Sequence, residues 1–153
     1  MKRQAILDYY AACNRGDVAA LEACFTEDVV HWFLAPNLAP APVAGRSYLA
    51  NYWRKVQARF DGRWVVDHVL APDDGDEAVI EWTLFWTPPE TGVRVATRGA
   101  EWYVFEGHLI KEIRAYYRQE HADSGLEGFP YAERGFSQHG AEHSLVQPPL
   151  QGA

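Results

Sequence analysis

Between Arg63 and Arg118 the chain reads RWVVDHVLA, EAVIEWTLFWT, VRVATRGAEWYVFE and LIKEIRAYYR, four segments dense in β-branched and aromatic residues. Residues of that kind suit a pleated, half-buried surface. The segments are separated by Asp73-Asp74-Gly75-Asp76, by Pro88-Pro89 with Gly92, and by Glu106-Gly107-His108, all chemistry that turns a chain within a few positions. Connections this short join antiparallel neighbours, because a parallel pair needs a crossover of a dozen residues or more. An antiparallel meander is therefore predicted for the second half of the chain.

The first half carries a different period. From Arg3 to Cys13 the apolar residues Ile6, Leu7, Tyr10, Ala11 and Cys13 recur at helical spacing, and Gly16 suits a left-handed helix end. Asp17 then reads as the N-cap of a second short helix running to about Cys24. A strand is predicted over Asp28 to Leu34 and a loop over the proline-rich APNLAPAPVAG. Ser47 is expected to cap a third helix whose Tyr48, Leu49, Tyr52, Trp53, Val56 and Phe60 form an apolar stripe. Helices followed by a meander make an α+β domain, with the helices packed on one face of a curved sheet. At 153 residues the chain suits one domain over 1–120. The tail over 121–153 is expected to pack on the sheet or on a partner subunit through its GFPYAERGF segment.

Composition removes several classes of function. The formal charge is −7 and no Lys/Arg run could track a phosphate backbone, which argues against nucleic acid. The N-terminal segment is broken by Asp8 and Arg15, so neither a signal peptide nor a membrane span is read there, and a soluble cytoplasmic protein is the expectation. Cys13 and Cys24 fall inside helices, outside any metal or dithiol spacing. His139 and His143 have helical ligand spacing but sit in a glycine-rich tail, and no metal or other cofactor is expected. The six tryptophans point to large flat side chains in the core or around an apolar pocket.

The corner YYAACNRGDVAALEACFTEDVVHW, the helix YLANYWRKV and the ending EWYVFEGHLIKEIRAYY together resemble the SnoaL-like branch of the nuclear transport factor 2-like superfamily, over about Ala5 to Tyr117. That resemblance implies a cone-shaped, strongly curved antiparallel sheet wrapped around three N-terminal helices, with an apolar pocket at its open end, and a homodimer. The fold hosts isomerases, epoxide hydrolases, dehydratases, polyketide cyclases and binding proteins, so it licenses a pocket and no particular reaction. Laid on the ketosteroid isomerase pattern, Tyr9 falls at the oxyanion-hole tyrosine and Glu101 at a protonated acid, whereas the general base is replaced by Phe33. The arginine and the last-strand acid implied by epoxide hydrolases and cyclases are replaced by Gly99 and Ala115, leaving Arg98 as a substitute.

Strand alternation extends one orientation to its neighbours at steps of two. With Glu101 inward, Tyr103 and Phe105 follow it, and the same matching sends His31, Phe33, Trp82, Leu84, Trp86, Ala115 and Tyr117 inward. Glu81 and Arg114 then face out as an ion pair at a dimer contact, unless a one-residue bulge inverts the parity and brings them in. The expected site comprises His31 as base, Glu101 as an acid kept protonated by its apolar surroundings, and Tyr9 and Tyr117 as hydrogen-bond donors. Phe33, Trp53, Trp82, Trp86, Tyr103 and Tyr117 would line it around an apolar small molecule. The reaction read from this set is acid/base chemistry of a lyase or isomerase. A binding protein without turnover, a hydrolase or cyclase of the same fold, and a plain structural role for Glu101 and His31 remain the alternatives.

Overall fold

Helix α1 spans Lys2–Arg15 in the computed structural model, which describes residues 1–36, 38–117, 128–134, 142 and 146. Its Ile6, Tyr10 and Cys13, spaced by four and three, share a buried face. Gly16 ends the helix at φ 62°, a conformation that a side chain resists, and its N–H closes onto the Cys13 carbonyl. Asp17 caps α2 (Val18–Ala23), its Oδ1 accepting from the Ala20 N–H at 3.1 Å. Helix α3 covers Arg46–Phe60. Ser47 does not cap it: Gly45, at φ 90°, takes the N-cap position two residues earlier, and the Ser47 hydroxyl donates to Glu22 at 2.6 Å, tying α3 to α2.

Six strands follow or intervene: β1 (Phe25–Phe33), β2 (Val43–Ala44), β3 (Arg63–Leu70), β4 (Glu77–Trp86), β5 (Val95–Glu106) and β6 (Leu109–Tyr117). They form one curved, unclosed sheet in the order β2-β1-β6-β5-β4-β3. From β3 to β6 the pairing is the antiparallel meander expected from the turns. The sheet is not antiparallel throughout, because β1 lies parallel to β6, with α3 and the rest of the meander forming the long crossover that a parallel pair requires. Strand β1 also starts at Phe25, three residues before the expected start, with a register shift between Phe25 and Val30. Within the proline-rich stretch, Val43 follows the last proline and pairs with His31, so a short strand forms where only loop was predicted.

The two faces of the sheet bury different chemistry. Toward the helices point Ile80, Trp82, Glu101, Tyr103, Phe105 and Ile113, all buried. Asn14 fastens α1 to this face, since its amide donates to the Trp64 carbonyl at 2.8 Å and accepts from the Trp64 N–H at 2.6 Å. On the outer face Val65, Asp67, Thr83 and Phe85 are also buried. The Arg98 guanidinium lies there over the ring of Tyr131, 4.9 Å from its centroid. The His139/His143 pair lies outside the described residues.

Candidate functional site

Where β4 ends and β5 begins, the inner face opens into a cavity of about 200 Å³. Its walls are mostly aromatic: Tyr52 and Trp53 from α3, Trp64 from β3, Trp82 and Trp86 from β4, and Tyr117 from β6. Local packing orients the rings. The Trp86 indole N–H donates to the Thr97 hydroxyl at 3.0 Å. Trp82 lies over Gly99, where an added Cβ would meet its ring atoms at 2.6 and 2.9 Å and the Tyr117 Cβ at 2.7 Å. Real Cβ contacts are not that short, so glycine at 99 is what lets the Trp82 ring settle on the sheet. The place where the resemblance expects an arginine is thus taken by an indole.

Glu101 forms the polar end of this cavity and is 4% exposed. Its Oε2 accepts from the hydroxyls of both Tyr10 and Tyr103 at 2.5 Å. Burial first, and then the charge of Glu101, push both phenols well above 10, so their hydroxyls keep their protons and act as donors. Oε2 is therefore an acceptor twice over. Any proton that Glu101 gives or takes passes through Oε1, which lies 3.6 Å from His31 Nε2. That distance is too long for a hydrogen bond.

His31 is fully buried, with its ring 4.5 Å from that of Phe33 and 5.2 Å from that of Trp53. Neither of its nitrogens has a hydrogen-bond partner among the described residues. The imidazole sits behind the cavity wall instead of in it, which corrects the expectation that it meets the ligand directly. Tyr9 is corrected too. One step along a helix turns a side chain by about 100°, so Tyr10 faces β5 and reaches Glu101, whereas Tyr9 packs against Phe25 and Tyr103 and bonds Cys13. Tyr103 lies beneath the cavity as a support for Glu101 and is not a lining residue.

Phe33, Trp53, Trp82, Trp86 and Tyr117 do line the cavity, as alternation along their strands and the stripe of α3 predict. The β4–β5 register runs unbroken from Glu77 to Trp86, so no bulge inverts the parity there and Glu81 stays exposed on the outside. Arg114 is also outside, but its partners within the chain are Glu77 at 3.6 Å and Glu112 at 3.4 Å, with the guanidinium over Trp102, in place of Glu81. Arg98 cannot substitute for a cavity arginine, because it points outward, 3.6 Å from Asp67. The sequence reading missed Tyr10 and Trp64. Both were legible: Tyr10 shares the Ile6 and Cys13 face, and Trp64 lies opposite Leu84, an inward position.

The SnoaL-like domain model matches residues 6–113, which include the elements around the cavity except the end of β6 that carries Ala115 and Tyr117. The chain belongs to the SnoaL-like domain family. This SnoaL-like chain is 33% identical to a protein of unknown function with a cystatin-like fold from Methylobium petroleophilum PM1, over 88% of this chain and 90% of that one, at a TM-score of 0.67. It is 22% identical to a candidate polyketide cyclase of Pseudomonas putida KT2440, over 79% of this chain and 95% of that one, at a TM-score of 0.66. A hypothetical protein with a ketosteroid isomerase-like fold from Catenulispora acidiphila DSM 44928, solved in complex with trimethylamine, shares 17% identity over 86% of this chain and 98% of that one, at a TM-score of 0.68. The last two likenesses carry the fold alone. No curated protein matches the chain.

Proposed function

We propose that this SnoaL-like protein is a cofactor-free enzyme that moves a proton on a small, apolar-bodied molecule held in the aromatic cavity. The observation that carries the reading is the single carboxylate set among aromatic walls, with one oxygen saturated by two phenols and the other left for chemistry. Glu101 Oε1 is the group that meets the substrate. His31, behind it at 3.6 Å, takes up or returns the proton that Glu101 exchanges once a small displacement closes that gap. Tyr10 and Tyr103 position the carboxyl, and Tyr117 at the wall offers the remaining hydroxyl.

An isomerase or lyase fits this single acid/base centre better than a hydrolase or cyclase. Those reactions, as the resemblance describes them, need an arginine and a second acid, and the corresponding positions are Gly99 under Trp82 and Ala115 in the wall. Size favours a small substrate, because a cavity of about 200 Å³ lies below the range of about 300–1,000 Å³ usual for drug-sized ligands.

Deuterium uptake tests the proposal. A panel of small cyclic ketones and enones is incubated with the protein in heavy water and followed by NMR, with tryptophan fluorescence reporting binding in parallel. The expected result is catalysed exchange in the wild type, lost in Glu101→Gln and strongly slowed in His31→Phe, while binding survives. Ligands that quench fluorescence with no exchange or conversion anywhere in the panel would establish a binding protein instead.

A further inference from the structure

We infer that the cavity is built for a small organic cation, an alkylammonium whose carbon substituents rest on the aromatic walls and whose charge is met by Glu101. The inference rests on the cavity being the ligand site, as proposed above, and not on turnover. Four observations support it. First, eight of the fourteen described residues around the cavity are aromatic, and the other six include one acid but no Lys, Arg or His. The faces of aromatic rings carry negative potential, and a desolvated cation over them is held more tightly than a neutral group of equal size.

Second, the rings stand as the sides of a box. Trp53 meets Trp64 at 80°, Phe33 meets Tyr117 at 76°, and Phe60 meets Trp86 at 84°. Edge-to-face packing of this kind keeps the walls from forming one flat slot, which suits a rounded group better than a flat ring. Third, Glu101 is a buried carboxylate whose nearest side chains are two neutral phenols and an imidazole beyond hydrogen-bond range. A neutral apolar ligand would bury Oε1 without a partner, at a desolvation cost that a cationic ligand removes. Fourth, the net charge of −7 draws cations toward the protein.

The test compares choline with 3,3-dimethyl-1-butanol, its neutral carbon isostere, on the full chain at fixed ionic strength. Binding is read by tryptophan fluorescence and titration calorimetry. Choline is expected to bind at least about tenfold more tightly than the isostere. Glu101→Gln should weaken choline by about tenfold and leave the isostere unchanged. Trp86→Leu, at the rim of the cavity, should weaken choline more than the isostere, and it provides a second reading if Glu101→Gln does not fold. Equal affinity for the two probes in the wild type, or selectivity that survives both substitutions, overturns the inference.

The outcomes separate it from the catalytic proposal. Choline affinity needs no reaction, so a selective but inactive protein removes only the enzyme reading. A protein that exchanges protons on neutral ketones and ignores choline removes only the cation.

Discussion

Asp67 and Glu101 are buried carboxylates two strands apart in one sheet, and they face opposite sides of it. On the outside, Asp67 Oδ2 accepts from the Thr83 hydroxyl at 2.6 Å and lies 3.6 Å from a guanidinium nitrogen of Arg98, itself stacked on Tyr131. On the inside, Glu101 has two phenols, a histidine at 3.6 Å and an aromatic cavity. Burying a charge is costly unless it is paired. The outer acid carries its counter-charge within the fold, whereas the inner one keeps an oxygen for whatever enters. A carboxylate closed by arginine is architecture, and one that meets phenols, an imidazole and an open cavity is available for chemistry.

The sharpest way to break this contrast is to remove the outer cation. Arg98→Met takes the guanidinium away from buried Asp67 and should cost about 3 kcal/mol in denaturant unfolding. Glu101→Gln, which keeps the shape and removes a charge without a fixed cation, should stay within about 1 kcal/mol of wild type. Equal losses from the two substitutions would mean that both acids are structural. Next in size is Gly99→Ala, whose methyl group overlaps the Trp82 ring and the Tyr117 Cβ. It should cost about 2 kcal/mol by overpacking, with the displaced indole seen as a shift in tryptophan emission.

Smaller still is Tyr10→Phe, expected to lose about 1.5 kcal/mol as one donor to Glu101 disappears. Tyr9→Phe removes a hydroxyl bonded only weakly, to Cys13, and should lose less. A reversal of that order would return the role to Tyr9, where the resemblance placed it. The smallest effect belongs to a more exposed acid. Arg94 bonds Glu142 at 2.6 and 2.7 Å and holds its carboxyl below the usual range. A lowered folded-state value stabilises above the ordinary carboxylate range, about pH 4, and the benefit fades as pH falls. Glu142→Gln should thus cost less than about 1 kcal/mol at pH 7, and progressively less as the pH is lowered through the acidic range, measured by thermal unfolding across a pH series.

The fold was legible in the sequence where chemistry is local. Turn residues between the last four strands gave the meander, and the resemblance, carried along each strand by alternation, placed Glu101, Trp82, Trp86 and Tyr117 on one face. What stayed hidden depends on separations the sequence does not encode locally. The parallel pairing of β1 with β6 joins segments about eighty positions apart, and the strand at Val43 exists only because His31 is there to pair with it. The choice between Tyr9 and Tyr10 turns on the rotation of α1 against the sheet, to which both residues contribute apolar rings. His31 was placed on the correct face, yet its depth behind Phe33 and Trp53 comes from how α3 lies across β1. Gly99 read as a missing arginine; its real constraint is the ring of Trp82 resting on it.

The position of β6 has a consequence for how the chain matures. Strand β6 is the last to be made, yet it sits between β1 and β5 and joins the helical half of the molecule to the meander. Until it inserts, β1 and β2 meet the hairpins β3 to β5 only by way of the helices, through contacts such as Asn14 with Trp64. Such long-range pairing has a high contact order and folds slowly. A nascent chain arrested before Leu109 should therefore lack the strand that holds His31 beside Glu101, and the cavity wall at Ala115 and Tyr117 would be completed last.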